Sequence, residues 1–313
     1  EGFSFDGKIR AKRQFVDSRT SGGFGTIAGY TTGRSTTIDK FPFSVDNNAT
    51  DVGDLSQGRQ QLAAQSSPTH GYSSGGYSGS SPPPTKRSVN IDKFPFSVDT
   101  NATDVGDITA SGGHQGATGQ SSLIEGYTSG GYTSPGVYHN IIDKFPFATD
   151  TNASDVGDLT VGRYAISGQS SRTHGYTSGG QISGTSNVID KFSFVTNSNA
   201  SDVGNLINSL KGPMGNSSEV NGFVSGGNDG SNRIANIQKF PFATDTNAVN
   251  TGDLTQSRVN GAGQSSDVNG YTSGGDIPAE VVTIDKFDFS INNNATDVGD
   301  LTQARKFVAG QQV

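Results

Sequence analysis

Residues 142–163 read IDKFPFATDTNASDVGDLTVGR, and residues 38–59 read IDKFPFSVDNNATDVGDLSQGR. Close variants begin at Ile91, Ile189, Ile237 and Ile284. In the KFPFSV portion, Phe41, Phe43 and Val45 alternate with Lys40, Pro42 and Ser44. That period of two is expected of a strand with one buried face. The phrase therefore decides for β-structure, and the chain writes it six times. Pro42 has no amide hydrogen. Its strand should lie at an edge, or carry the proline at a bulge or with the missing donor turned away from a neighbour.

Working outward, the Lys-Phe pairs end at Phe41, Phe94, Phe145, Phe192, Phe240 and Phe287, in steps of 53, 51, 47, 48 and 47 residues. A second marker precedes each: GYTTGR at 29, GYSSGG at 71, GYTSGG at 126, 175 and 270, and GFVSGG at 222. Each unit divides into four short β segments, exemplified by YAISGQSS, HGYTSGG, KFPFSV and DVGDLTVGR. No window carries a 3.6-residue apolar period, so no helix is needed. Four strands in about 50 residues suit a propeller blade. One blade alone buries too little apolar area to fold, whereas a ring of blades buries enough. The expected fold is an all-β, six-bladed propeller of four-stranded blades, with seven blades as the alternative. The alternative arises because LTQARKFVAGQQV begins a seventh unit. That segment could pair with GTIAGYTTGR to close the ring, while KRQFVDSR at 12–19 competes for the same slot. Residues 1–20 are set apart as an anchor or partial repeat, and 21–313 as one propeller domain of six repeats.

Composition agrees with such a fold. Only 30% of the 313 residues are hydrophobic and the mean hydropathy is −0.49, values that alone point toward disorder. The 18 Phe and 9 Tyr oppose that, because most fall at fixed places in the repeat and disordered polar chains are poor in aromatics. The 44 Gly, with many Ser, Thr and Asn, indicate tight turns. No Cys is present, which excludes disulfides and thiolate metal sites. A net charge of −7 without a basic stripe argues against nucleic acid. No hydrophobic span approaches the ~20 residues of a membrane helix, so membrane insertion is not expected.

A Gly-Gly pair after a Tyr-containing strand, a variable loop, an aromatic strand and a strand ending near Arg together resemble the kelch family. The resemblance covers most of the chain. Kelch repeats usually carry a Trp after the third strand; this chain has none, so paired Phe must supply the bulk. The wording of KFPFATDTNASDVGDLT (144–160) and GQSSRTHGYTSGG (168–180) resembles repeats of large virion structural proteins of marine bacteriophages, cyanophages above all. That resemblance implies a tail-fibre, capsid-fibre or decoration protein on the virion surface, without catalytic activity. Its partners would be other virion proteins and a host-surface glycan or protein, and a homo-oligomer is compatible with it. A cellular lectin or adhesin propeller that binds glycans is the rival expectation. A propeller enzyme is disfavoured, because no acid, base or nucleophile stands out as singular to one repeat.

Candidate sites follow from the repeat and from its exceptions. Asp150, Asn152, Asp155 and Asp158 in DTNASDVGDL resemble the calcium loops of integrin-type propellers, since hard cations want several oxygens from one tight loop. Ca2+ is thus the one candidate cofactor. The competing reading is an Asx-rich turn, and sibling copies replace the acids with Asn197, Asn205, Asn250 and Asn292. The NAT and NAS tripeptides at Asn48, Asn101, Asn152, Asn199 and Asn294 are glycosylation sequons or the same turn, and NAV at Asn247 keeps the turn without the sequon. GYSSG at 71–75 matches a nucleophile elbow, but the sibling copies at 126, 175 and 270 place Thr where Ser73 sits. His70 and His174 share a slot that Glu125, Asn221 and Asn269 fill elsewhere, and His114 and His139 have no repeated counterpart. The loop between Gly-Gly and the Lys-Phe strand varies most. YSGSSPPPTKRSVN makes Tyr77, Lys86 and Arg87 candidates for ligand contact. Tyr72, Tyr127, Tyr176 and Tyr271 recur once per unit and are either glycan-stacking platforms or packing between blades.

Overall fold

A computed structural model describes residues 23–26, 34–79 and 87–311, the first of these as backbone only. Every regular element in this range is a strand; none is a helix. The 63–107 blade is typical. From the inside outward its antiparallel strands are Ala63–Ser66, His70–Ser74, Asn90–Pro95 and Thr103–Asp107. Four further blades repeat this order at 118–158, 167–210, 214–253 and 262–305. The segments expected as YAISGQSS and HGYTSGG are the strands Ser167–Ser170 and His174–Ser178. A hairpin of Tyr132–Thr133 and Val137–Tyr138 projects from the 118–158 blade.

The expectation of six or seven four-stranded blades is corrected to five. The remaining sheet, at 23–54, has three strands: Gly23–Thr26, Thr37–Phe41 and Thr50–Asp54. Residues 306–311 do not start a seventh unit. They run beside this sheet without forming a continuous strand. Gln311 Nε2 donates to the Tyr72 carbonyl and to Ser73 Oγ of the next blade. Gln65 and Gln120, on innermost strands, do the same toward their own neighbours. The segments 1–20 and 27–33, with most of GTIAGYTTGR, lie outside the described residues.

Two devices join blade to blade. The first is aromatic. Tyr127 stacks on Phe194 at 4.7 Å and meets Phe192 at 5.5 Å, and both phenylalanines belong to the next blade. Tyr72, Tyr176, Phe223 and Tyr271 do likewise, Tyr271 reaching Phe41 and Phe43 of the 23–54 sheet. The paired Phe of the repeat therefore fill the gap between sheets. The glycine before each Tyr is needed for this packing, since a Cβ on Gly175 would lie 2.3 Å from Phe192 Cζ. The second device is polar. The backbone N–H of Asp158 donates to Asn199 Oδ1 of the next blade, and Asp54, Asp107, Asn205, Asp253 and Asp300 bond Asn101, Asn152, Asn247, Asn294 and Asn48 in the same way.

The proline of each Lys-Phe-Pro-Phe strand sits as its chemistry requires. Pro95 lies opposite His70 but past Lys93, the last residue paired with the fourth strand. No ladder bond on that side is lost.

At the axis, six backbone hydrogen bonds run head to tail in a closed cycle. Gln61 donates to Phe307, Phe307 to Asn260, Asn260 to Gly212, Gly212 to Ala165, Ala165 to Gly116, and Gly116 to Gln61, at 2.7–2.9 Å. All six residues hold positive φ between 54° and 68°. Four of them are not glycine, so the hub fixes a conformation that those side chains disfavour.

Candidate functional site

The chain crosses the ring so that every Gly-Gly loop emerges on one face. Gly75 and Gly76 hold φ of 66° and 99° and turn the chain outward after the second strand. The next residue bridges inward to the residue that leads into the innermost strand and outward to the end of the loop. In the 63–107 blade this outcrop is Gln60, Tyr77 and Arg87. Its counterparts are Gln115, Tyr132 and Tyr138; Tyr164, Gln181 and Thr185; Lys211, Asn228 and Arg233; and Val259, Asp276 and Glu280.

These outcrops divide the face into unlike halves. Across two successive blades, Tyr132, Tyr138 and Tyr164 form a triangle with ring centroids 5.3, 5.4 and 5.8 Å apart. The Arg87 guanidinium lies 5.4 Å from the Tyr132 ring and 5.9 Å from that of Tyr77, and Arg34 lies 4.9 Å from Tyr77 on its other side. The result is a crescent of alternating cations and aromatic rings. Among the described residues neither Arg34 nor Arg87 has a carboxylate partner. In the other half two cations are paired with carboxylates: Arg233 with Asp276 at 2.6 Å and Lys306 with Glu280 at 3.0 Å.

The crescent is fixed from below. Tyr132 Oη accepts from the Gly136 N–H at 3.2 Å, and Tyr164 Oη donates to Gln181 Oε1 at 3.1 Å. The Gly136 bond first, then Ser134 and the Arg87 charge, lower the Tyr132 pKa, whereas burial raises that of Tyr164. Arg87 Nε and the side-chain oxygens of Gln60 and Gln115 are buried without a hydrogen-bond partner.

Of the residues singled out in sequence, Tyr77 and Arg87 lie in this crescent, and Lys86 lies outside the described residues. Tyr72, Tyr127, Tyr176 and Tyr271 are buried in the inter-blade stacks. Burial pushes the phenols of Tyr72, Tyr176 and Tyr271 up to about 12 and Tyr127 higher still. Asp150, Asn152, Asp155 and Asp158 do not converge on one point. Asp150 pairs with Lys93 of the preceding blade, Asn152 accepts from the Asp107 N–H, Asp155 accepts from the Gly157 N–H, and the Asp158 N–H donates to Asn199. Among the described residues no group of three His, Asp or Glu side chains is placed to hold a metal. Ser73 is buried on a second strand and accepts from Gln311, which is no nucleophile elbow. His70 and His174 bond the neighbouring Thr69 and Thr173 hydroxyls.

The opposite face opens into an axial funnel of about 430 Å³, and a cavity of about 120 Å³ lies at the other end of the axis. Between them Ala64, Gly119, Gly168, Gly215, Gly263 and Gly310 pinch the axis, and a Cβ on Gly168 would lie 2.3 Å from the Gly119 carbonyl oxygen. The serine hydroxyls of the funnel are committed to the fold. Ser121, Ser170, Ser217 and Ser265 Oγ each accept the N–H of the adjacent innermost strand. Ser67, Ser122, Ser171, Ser218 and Ser266 Oγ cap their own turns.

No protein-family model matches the chain. No curated protein matches it either. The crescent must therefore be read from its own chemistry. Sequence reasoning passed over Tyr132, Tyr138 and Tyr164, although a signal was present: they are tyrosines that fall outside the repeated GY slot.

Proposed function

We propose that this chain is a non-enzymatic structural protein of a phage particle, a tail-fibre, capsid-fibre or decoration module that serves adhesion to a host surface. The observation that carries the reading is the gathering of tyrosines and arginines from several blades into one crescent on the Gly-Gly face. Strands, stacks and inter-blade bonds repeat from sheet to sheet, while the Gly-Gly loops gather unlike side chains into one crescent. A rigid scaffold whose longest and most variable loops gather on one face is suited to recognition. The wording of the repeat, which resembles that of virion proteins, supports the location. The finer reading of the ring as six kelch-like sectors is part of this proposal. It rests on the six-membered hub and on residues 306–311 beside the 23–54 sheet.

Immunogold electron microscopy with antibody against this chain tests the location. Label on tails or capsid fibres supports a virion component. Label on cells with none on particles supports a second reading, a cellular lectin or adhesin, which the exposed tyrosines favour equally. Label on neither overturns both.

A further inference from the structure

We infer that the tyrosine–arginine crescent is a binding site for an acidic polysaccharide, a chain of carboxylated or sulfated sugars. The inference rests on the adhesion reading and gives that surface a ligand class. Tyr132, Tyr138 and Tyr164 offer ring faces of negative potential at one site, suited to the positive C–H face of a pyranose. Aromatic residues that are half-exposed and already oriented lose little freedom on binding.

Charge selects among sugars. The molecule is acidic overall, with a net charge of −7, yet this surface holds Arg34 and Arg87 without carboxylate partners among the described residues. Each guanidinium lies by a tyrosine ring, an arrangement that keeps its flat fork pre-set for a carboxylate or sulfate. Neutral sugars would use the rings and leave the arginines idle. The opposite half makes the contrast within one molecule, because its Arg233 and Lys306 are neutralised by Asp276 and Glu280.

The test compares polygalacturonate with its methyl ester, which has the same backbone without the charge, on a biosensor carrying the full chain. Polygalacturonate is expected to bind at least about tenfold more tightly than the ester, with the difference shrinking as salt is raised. Arg87→Gln should erase the preference, and Tyr164→Ala should weaken binding to both polymers by about tenfold. Arg233→Gln, in the neutralised half, should change neither, and unaltered thermal melting shows that each variant is folded. Equal binding to the two polymers, no binding to either, or an unchanged preference in Arg87→Gln overturns the assignment. Adsorption of labelled protein to envelopes from the source culture is measured in parallel. Protein that adsorbs but ignores polygalacturonate keeps the adhesion reading and loses this ligand. Protein that binds polygalacturonate but does not adsorb does the reverse.

Discussion

Arg163 and Asp190 lie 3.0 Å apart with almost no exposure, and Asp190 also accepts from the Thr160 N–H and hydroxyl. The same pair recurs as Arg59–Asp92, Arg258–Asp285 and Arg305–Asp39. In the 214–253 blade both members change together: Leu210 and Gln238 stand in their places, and Gln238 still accepts from the Ile207 N–H. One blade therefore supplies a neutral version of the pair. Removing one partner strands a buried charge, so Asp190→Asn should cost about 3–5 kcal/mol in urea unfolding. The double change Arg163→Leu with Asp190→Gln should recover most of that loss; a double variant no better than the single one refutes the exchange. Gly175→Ala is expected to cost about 1–3 kcal/mol, because its Cβ would overlap the Phe192 ring. An unchanged unfolding midpoint would mean the ring yields without cost. The repeated GR and GY dipeptides were legible as markers, but not as a buried cation and a floor for a ring. Their partners lie one strand or more away, which a local pattern does not encode.

The 118–158 blade departs furthest from its siblings. His114 occupies the place of the buried arginine, is wholly buried, and has no hydrogen-bond partner on either ring nitrogen. Its ring packs at 5.7 Å from His139, itself held by the Thr133 hydroxyl. Burial, and then the nearby His139, push the His114 pKa down to about 3. The folded state thus holds this imidazole neutral, whereas the unfolded chain protonates it near 6.5. Stability from this group is full above about pH 6.5 and falls as the pH drops toward 3. His114→Leu, which copies the leucine found at Leu210, should flatten that slope when unfolding is measured from pH 7 to 4; an unaltered slope would assign the acid sensitivity elsewhere. At this scale alternation and turn chemistry made the four strands readable. The Tyr132–Tyr138 hairpin was not readable, since a two-residue strand carries no period.

The whole molecule depends on how the ring is closed. Sequence left two candidates, KRQFVDSR and the C-terminal segment, because both match the innermost strand. The hub decides for the second, since Phe307 both donates to Asn260 and accepts from Gln61. Val308 and Ala309 are buried in clusters on either side of the closure, Val308 with Tyr271 and Phe41, Ala309 with Leu62 and Phe94. Ending the chain at Arg305 would break two hub bonds and both Gln311 bonds, and would withdraw these apolar contacts. The combined loss is on the order of 5 kcal/mol. It falls at the 23–54 sheet, which joins the 262–305 blade to the 63–107 blade, so the effect should go beyond a lower midpoint. An open ring lets the terminal blades unfold separately from the rest, as in a linear repeat array. The truncated chain should show a broadened urea transition, and amide exchange should rise first in 63–74 and 262–273. Gln311→Ala, which leaves the hub intact, should lower the midpoint while keeping one cooperative transition. A truncated chain that unfolds as sharply and as late as the full one would show that residues 306–311 do not close the ring.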